Sequence, residues 1–97
     1  MIFEVVIEPR AILDIQNAVD YYEYKKTGLG ERFYQVVDSH IEILTKNPFF
    51  QVRYKDYYGF PTKKFPFIIF YFIDEKLKTL YVLSVFNTSQ SPSKYPK

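Results

Sequence analysis

Apolar and polar positions alternate at the start of the chain. In "IFEVVIE", Phe3, Val5 and Ile7 fall on one side, and Ile2, Glu4, Val6 and Glu8 on the other. A period of two with one wholly apolar side predicts a strand. Pro9 follows and suits a first helical position, where the missing N–H is no loss. From Arg10 the period lengthens: Ile12, Ile15, Val19 and Tyr22 recur at helical spacing, with Asp14, Asp20 and Glu23 elsewhere on the wheel. "KKTGLG" closes this helix, because Lys25 and Lys26 suit its negative end and Gly28 is a natural left-handed cap. A second helix carries Leu29, Phe33, Val37, Ile41 and Leu44 as its stripe until Asn47-Pro48 stops it. So short a connection makes the pair an antiparallel hairpin.

The remainder reads as sheet. "VRYKDYYGFPTKKF" is strand-prone but interrupted at Gly59 and Pro61, and Pro61, lacking a donor, belongs at a sheet edge or bulge. In "PFIIFYFID" both alternating sets are apolar: Phe67, Ile69, Tyr71 and Ile73 on one side, Ile68, Phe70 and Phe72 on the other. Such a strand is either covered on both faces or awaiting a partner. "DEKLK" turns the chain and "TLYVLSVF" returns as its hairpin mate. The expected class is α+β in the order β-α-α-β-β-β, with an N-terminal antiparallel helical hairpin on one face of a small, mostly antiparallel sheet. Nothing else in the chain is left to cover the other face, which argues for a binding partner.

Composition narrows this picture. Residues 1–97 make one domain, with no repeat, linker or low-complexity segment. A chain this size buries roughly 60–70% of its unfolded surface. Ten Tyr and ten Phe supply enough ring area to stabilise a small sheet without disulfides. The absence of cysteine excludes a disulfide framework and thiolate metal sites, and fits a reducing compartment. The N-terminus carries acids and no long apolar run, so neither a signal peptide nor a membrane span is expected, and the cytoplasm is the expected location. The net charge of +2 conceals an asymmetry. Residues 1–42 hold eight acids against four bases, giving −4, and residues 43–97 nine bases against three acids, giving +6. The later half therefore suits a polyanion or an acidic partner, although a merely solvated surface accounts for the charge equally well.

Candidate chemistry is sparse. His40, the single histidine, lies between Val36 and Leu44 beside the core stripe, and reads as a packed or rim residue rather than a metal ligand. There is no Gly-rich phosphate loop, nucleophile elbow or metal-ligand spacing, so no metal, cofactor or small-molecule substrate is expected. Arg53, Lys55, Lys63, Lys64 and Lys94, interleaved with Tyr54, Tyr57, Tyr58 and Phe65, suit a surface for phosphates and bases if their strands are neighbours. The plainer reading is lysine guarding edge strands against aggregation.

Three segments together resemble the RelE/ParE family of toxins from type II toxin–antitoxin modules, over most of the chain. "AILDIQNAVDYYEYKKTGLGERF" is similar to that family's alanine–aspartate–tyrosine helix and Gly-Leu-Gly junction. "NPFFQVRYKDYYGFPTKKFPFIIFYFID" resembles its central strands, and "SVFNTSQSP" stands where relatives often read His-x-x-Arg-Asp/Asn-Pro. The resemblance implies a cognate antitoxin that wraps the toxin, for which Ile68, Phe70 and Phe72 are the candidate contacts.

It also implies one of two activities. One branch cleaves messenger RNA on the ribosome; the other, ParE-like and associated with plasmid stabilisation, inhibits a DNA topoisomerase by contact and arrests growth. Where relatives carry histidine this chain has Asn87, and where they carry arginine it has Gln90; neither exchanges a proton or neutralises a phosphate. The ParE-like reading is therefore preferred. Its candidate target contacts are Arg53, Lys55, Lys63, Lys64, Asn87, Gln90 and Lys94. Under the ribonuclease alternative Lys63, Lys64 and Tyr95 are the candidate catalytic groups. A non-toxic relative serving as an interaction module is the third reading.

Overall fold

The computed structural model describes residues 2–49 and 51–89. β1 (Glu4–Ile7) leads at Pro9 into α1 (Pro9–Lys25), and α2 (Leu29–Lys46) returns antiparallel to it. Gly28 is left-handed, with φ 90°, but it opens α2 rather than capping the last turn of α1. Glu23 organises this corner by accepting the Gly28 N–H at 2.9 Å and the Gly30 N–H at 3.1 Å. Its carboxylate thereby satisfies first-turn donors that would otherwise be orphaned.

The sheet has one more strand than the sequence pattern predicts. β2 (Val52–Tyr54) and β3 (Tyr57–Pro61) form a hairpin, followed by β4 (Phe67–Asp74) and β5 (Thr79–Asn87). The strand order is β1-β5-β4-β3-β2, parallel between β1 and β5 and antiparallel elsewhere. The β2–β3 turn escaped sequence reading because its two residues are Lys55 and Asp56, without the Gly or Asn that usually marks a tight turn. Lys55 nonetheless takes φ 53°. Pro61 lies beyond the reach of β2, whose pairing stops at Val52↔Gly59, so its missing N–H breaks no ladder. A bulge between Phe70 and Tyr71 on the β4–β5 ladder leaves Leu83 out of the pairing.

The main core lies between the helices and one face of the sheet. Phe33, Val37 and Leu44 of α2 pack there with Ile69, Tyr71, Leu80 and Val82. Tyr71 donates its hydroxyl to the Pro48 carbonyl at 2.7 Å, tying the centre of the sheet to the end of α2, and burial raises its phenol pKa. On α1 the buried residues are Ala11, Ile15 and Ala18, whereas Ile12, expected in the stripe, is 56% exposed. The small alanines let α1 approach the sheet closely, which rotates the helix off its largest side chains.

The second face is not bare, as the pattern suggested. Ile68, Phe70 and Phe86 form a further buried cluster, and the β2–β3 hairpin sets Tyr54 and Tyr57 edge-on against Phe70 at 5.4 and 5.5 Å. Of the antitoxin-contact candidates, Ile68 and Phe70 are thus buried and Phe72 is exposed.

Candidate functional site

Lys63 and Lys64 occupy the loop between β3 and β4, and that loop is tied down by hydrogen bonds and a partly buried ring. The Thr62 N–H bonds the Phe67 carbonyl at 2.9 Å, and the Thr62 hydroxyl donates to the Phe65 carbonyl at 2.8 Å. Phe65 anchors the loop in the core, edge-on to Tyr22 at 4.9 Å and to Phe33 at 5.2 Å. His40 fixes its other end. Nδ1 lies 2.7 Å from the Val36 carbonyl, and Nε2 accepts the Lys63 N–H at 3.3 Å. A carbonyl requires a donor and an amide N–H an acceptor, so these contacts engage both ring nitrogens, Nδ1 as donor and Nε2 as acceptor. The single histidine is a strut for the lysine loop.

The end of β5 meets the same loop. Asn87 pairs with Phe67, and both the Thr88 N–H and its hydroxyl donate to the Pro66 carbonyl, at 2.8 and 3.1 Å. Asn87 Oδ1 accepts the Ser89 N–H at 2.9 Å and the Ser89 hydroxyl at 2.7 Å, closing a turn on itself. Lys63, Lys64 and Asn87 are therefore neighbours along one end of the sheet.

Beside Asn87 lies a cleft of about 340 Å³ that also takes Arg10, Asp14, Asn17 and Tyr21 from α1. Sequence reading missed these four. Their spacing carried the signal, since positions 10, 14, 17 and 21 share one helical face. Asp14 Oδ2 accepts the Val85 N–H at 3.0 Å, next to the bulge. Burial raises the Asp14 pKa, against the opposing effects of that hydrogen bond and of Arg10 at 4.0 Å. A carboxyl whose folded pKa is raised binds its proton more tightly in the native state, so its contribution to stability grows as pH falls through the carboxylate range and is lost as pH rises. Asp14→Asn keeps an acceptor for Val85 and removes the charge. We expect it to melt at or above the unaltered chain at neutral pH and to lose this part of the pH dependence, measured by thermal melts across the acid range.

The remaining bases do not join this set. Arg53 and Lys55 sit on the β2 side of the sheet, near the opposite end of β4; Arg53 Nε donates to the Lys55 carbonyl at 2.6 Å, and its guanidinium lies 5.9 Å from the Tyr58 ring centre. The expected single basic surface is thus divided, because the unforeseen hairpin carries Arg53 and Lys55 away from the lysine loop. Gln90, Lys94 and Tyr95 lie outside the described residues. Among the described residues no three His, Asp or Glu side chains cluster as a metal site would need, and no helix is long and apolar enough to cross a membrane.

Residues 5–92 match the family described as the ParE toxin of the type II toxin–antitoxin system, parDE. The chain belongs to the ParE toxin family. Several solved structures share the fold of this ParE-family chain. One, titled a chromosomal ParDE toxin–antitoxin system from P. aeruginosa, is 12% identical with a TM-score of 0.72, covering 89% of this chain and 96% of that one. Another, the RelBE2 toxin–antitoxin complex from Mycobacterium tuberculosis, is 15% identical with a TM-score of 0.62, covering 90% and 99%. No curated protein matches the chain. The fold class and the family read from the residues are both found.

Proposed function

We propose that this toxin acts by contact, binding and inhibiting a DNA topoisomerase in the cytoplasm, and that a cognate antitoxin neutralises it. The observation that carries this reading is the state of the proton-exchanging positions. At the end of β5 Asn87 has no exchangeable proton of the required acidity, and its oxygen is already committed to Ser89. His40 is buried with both nitrogens bonded, so it does not serve as a base. Losing such a group typically removes about 10²–10⁴ in rate. A hydrogen-bonded loop presenting two exposed lysines, by contrast, suits recognition of a macromolecular surface.

Induced expression without antitoxin tests this. We expect growth arrest with DNA-damage signalling and filamentous cells while transcripts stay intact. Prompt translational arrest with fragmented messages would reject it. The adjacency of Lys63 and Lys64 to the β5 end favours the ribosome-dependent ribonuclease as a second reading, for which Lys63→Ala with Lys64→Ala must abolish message cleavage. Unaffected growth on induction would instead indicate a non-toxic relative.

A further inference from the structure

The lysine loop has a second wall. Tyr22, Leu29, Arg32, Lys64, Phe65 and Pro66 line an open cleft of about 430 Å³ between the start of α2 and the loop. Its floor is apolar, and its two charged residues are both cations from different elements. Both are exposed, and among the described residues neither Arg32 nor Lys64 forms an ion pair. Both walls are held in advance, the loop by His40 and Thr62 and the helix start by Glu23. Pre-ordered walls lower the entropy lost on binding.

We propose that this cleft receives an acidic, amphipathic segment of the antitoxin, with an apolar side chain on the floor and carboxylates on Arg32 and Lys64. The inference rests on the antitoxin partnership proposed above and names where and how part of it is made. Charge complementarity selects the occupant, since an apolar floor between two unpaired cations matches an apolar anchor flanked by acids. A nucleotide fits less well. Tyr22 and Phe65 pack edge-to-face on each other at 4.9 Å with an interplanar angle of 66°, and both also pack against Phe33, so the rings are committed to one another rather than offered as a flat stacking platform. Occupation of this cleft also covers Lys64, a candidate target contact, which links neutralisation to direct masking.

The test measures binding of the cognate antitoxin proposed above to the unaltered protein, to Arg32→Gln, to Lys64→Asn and to the double variant, at several salt concentrations. Asparagine is chosen because Lys64 sits at φ 71°, which asparagine tolerates. Each single change should weaken binding about tenfold and the double change further, with a shallower salt dependence and unchanged thermal melting. Unchanged affinity in the double variant overturns the proposal. So does a single-stranded RNA probe whose binding is lost in the double variant while antitoxin affinity stays constant. Absence of any complex with the unaltered chain overturns the antitoxin partnership itself, and this site with it.

Discussion

Replacing Phe33 with alanine should destabilise the protein by about 3–5 kcal/mol, a large share of the roughly 5–15 kcal/mol that holds a domain folded. Phe33 is fully buried and sits among three other rings, 5.3 Å from Tyr22, 5.2 Å from Phe65 and 4.9 Å from Phe67. Truncation removes its own contacts and leaves a cavity that those rings cannot close without moving. Phe65 is the hydrophobic anchor of the lysine loop, so the loss reaches beyond stability. Denaturant melts should show the fall, and amide exchange of Thr62 and Lys63 should accelerate more than that of β5. Phe33→Leu, which keeps most of the volume, should cost much less. Equal losses for the two variants would show that Phe33 does not act through packing.

The sequence disclosed what depends on period and punctuation. The two sides of β4, the second helix's stripe and its stop at Asn47-Pro48 were all legible, because each follows from local spacing. What escaped depends on which neighbour an element meets. Ala11 and Ala18 were overlooked because small side chains give little hydrophobic signal, yet they set the approach of α1 to the sheet. The β2–β3 hairpin was hidden behind a Lys-Asp turn, and with it the cover it places on Phe70. That one omission hid the burial of two candidate contacts on the second face, Ile68 and Phe70, and merged two separate groups of bases. At the site, Lys63, Lys64 and Asn87 were legible as residues, but Arg10, Asn17, Tyr21 and Arg32 became visible only once the helices were set against the sheet.

The helical hairpin thus contributes to both clefts that flank the lysine loop. α1 supplies Arg10, Asp14, Asn17 and Tyr21 on the side of Asn87, and the α1–α2 corner supplies Tyr22, Leu29 and Arg32 on the other. The loop between them is held by α2 through His40 and Phe33. A partner engaging the second cleft therefore reads the helical corner and the loop as a single surface, whose shape depends on how closely α1 and α2 approach.

That approach is set at Gly30, and Gly30→Ala should reverse the usual sign of a glycine-to-alanine change in a helix. In an unobstructed helix interior the change stabilises by about 0.5–1 kcal/mol. Here the added Cβ would lie 2.5 Å from the Val19 carbonyl oxygen and 3.0 Å from Glu23 Cβ. A backbone oxygen in mid-α1 cannot turn aside as a side-chain tip does, so the helices must part, and overpacking of this kind costs about 1–3 kcal/mol. Parting them also pulls Glu23 from the Gly28 and Gly30 N–H groups it caps. We expect a lower melting temperature and weaker antitoxin binding from the same substitution, since Tyr22, Leu29 and Arg32 move with the corner. Gly28→Asn is the matched control: its Cβ meets nothing within 4 Å, and asparagine tolerates the φ of 90°. If Gly30→Ala melts as high as the unaltered chain, the close approach of the two helices is not what shapes this corner.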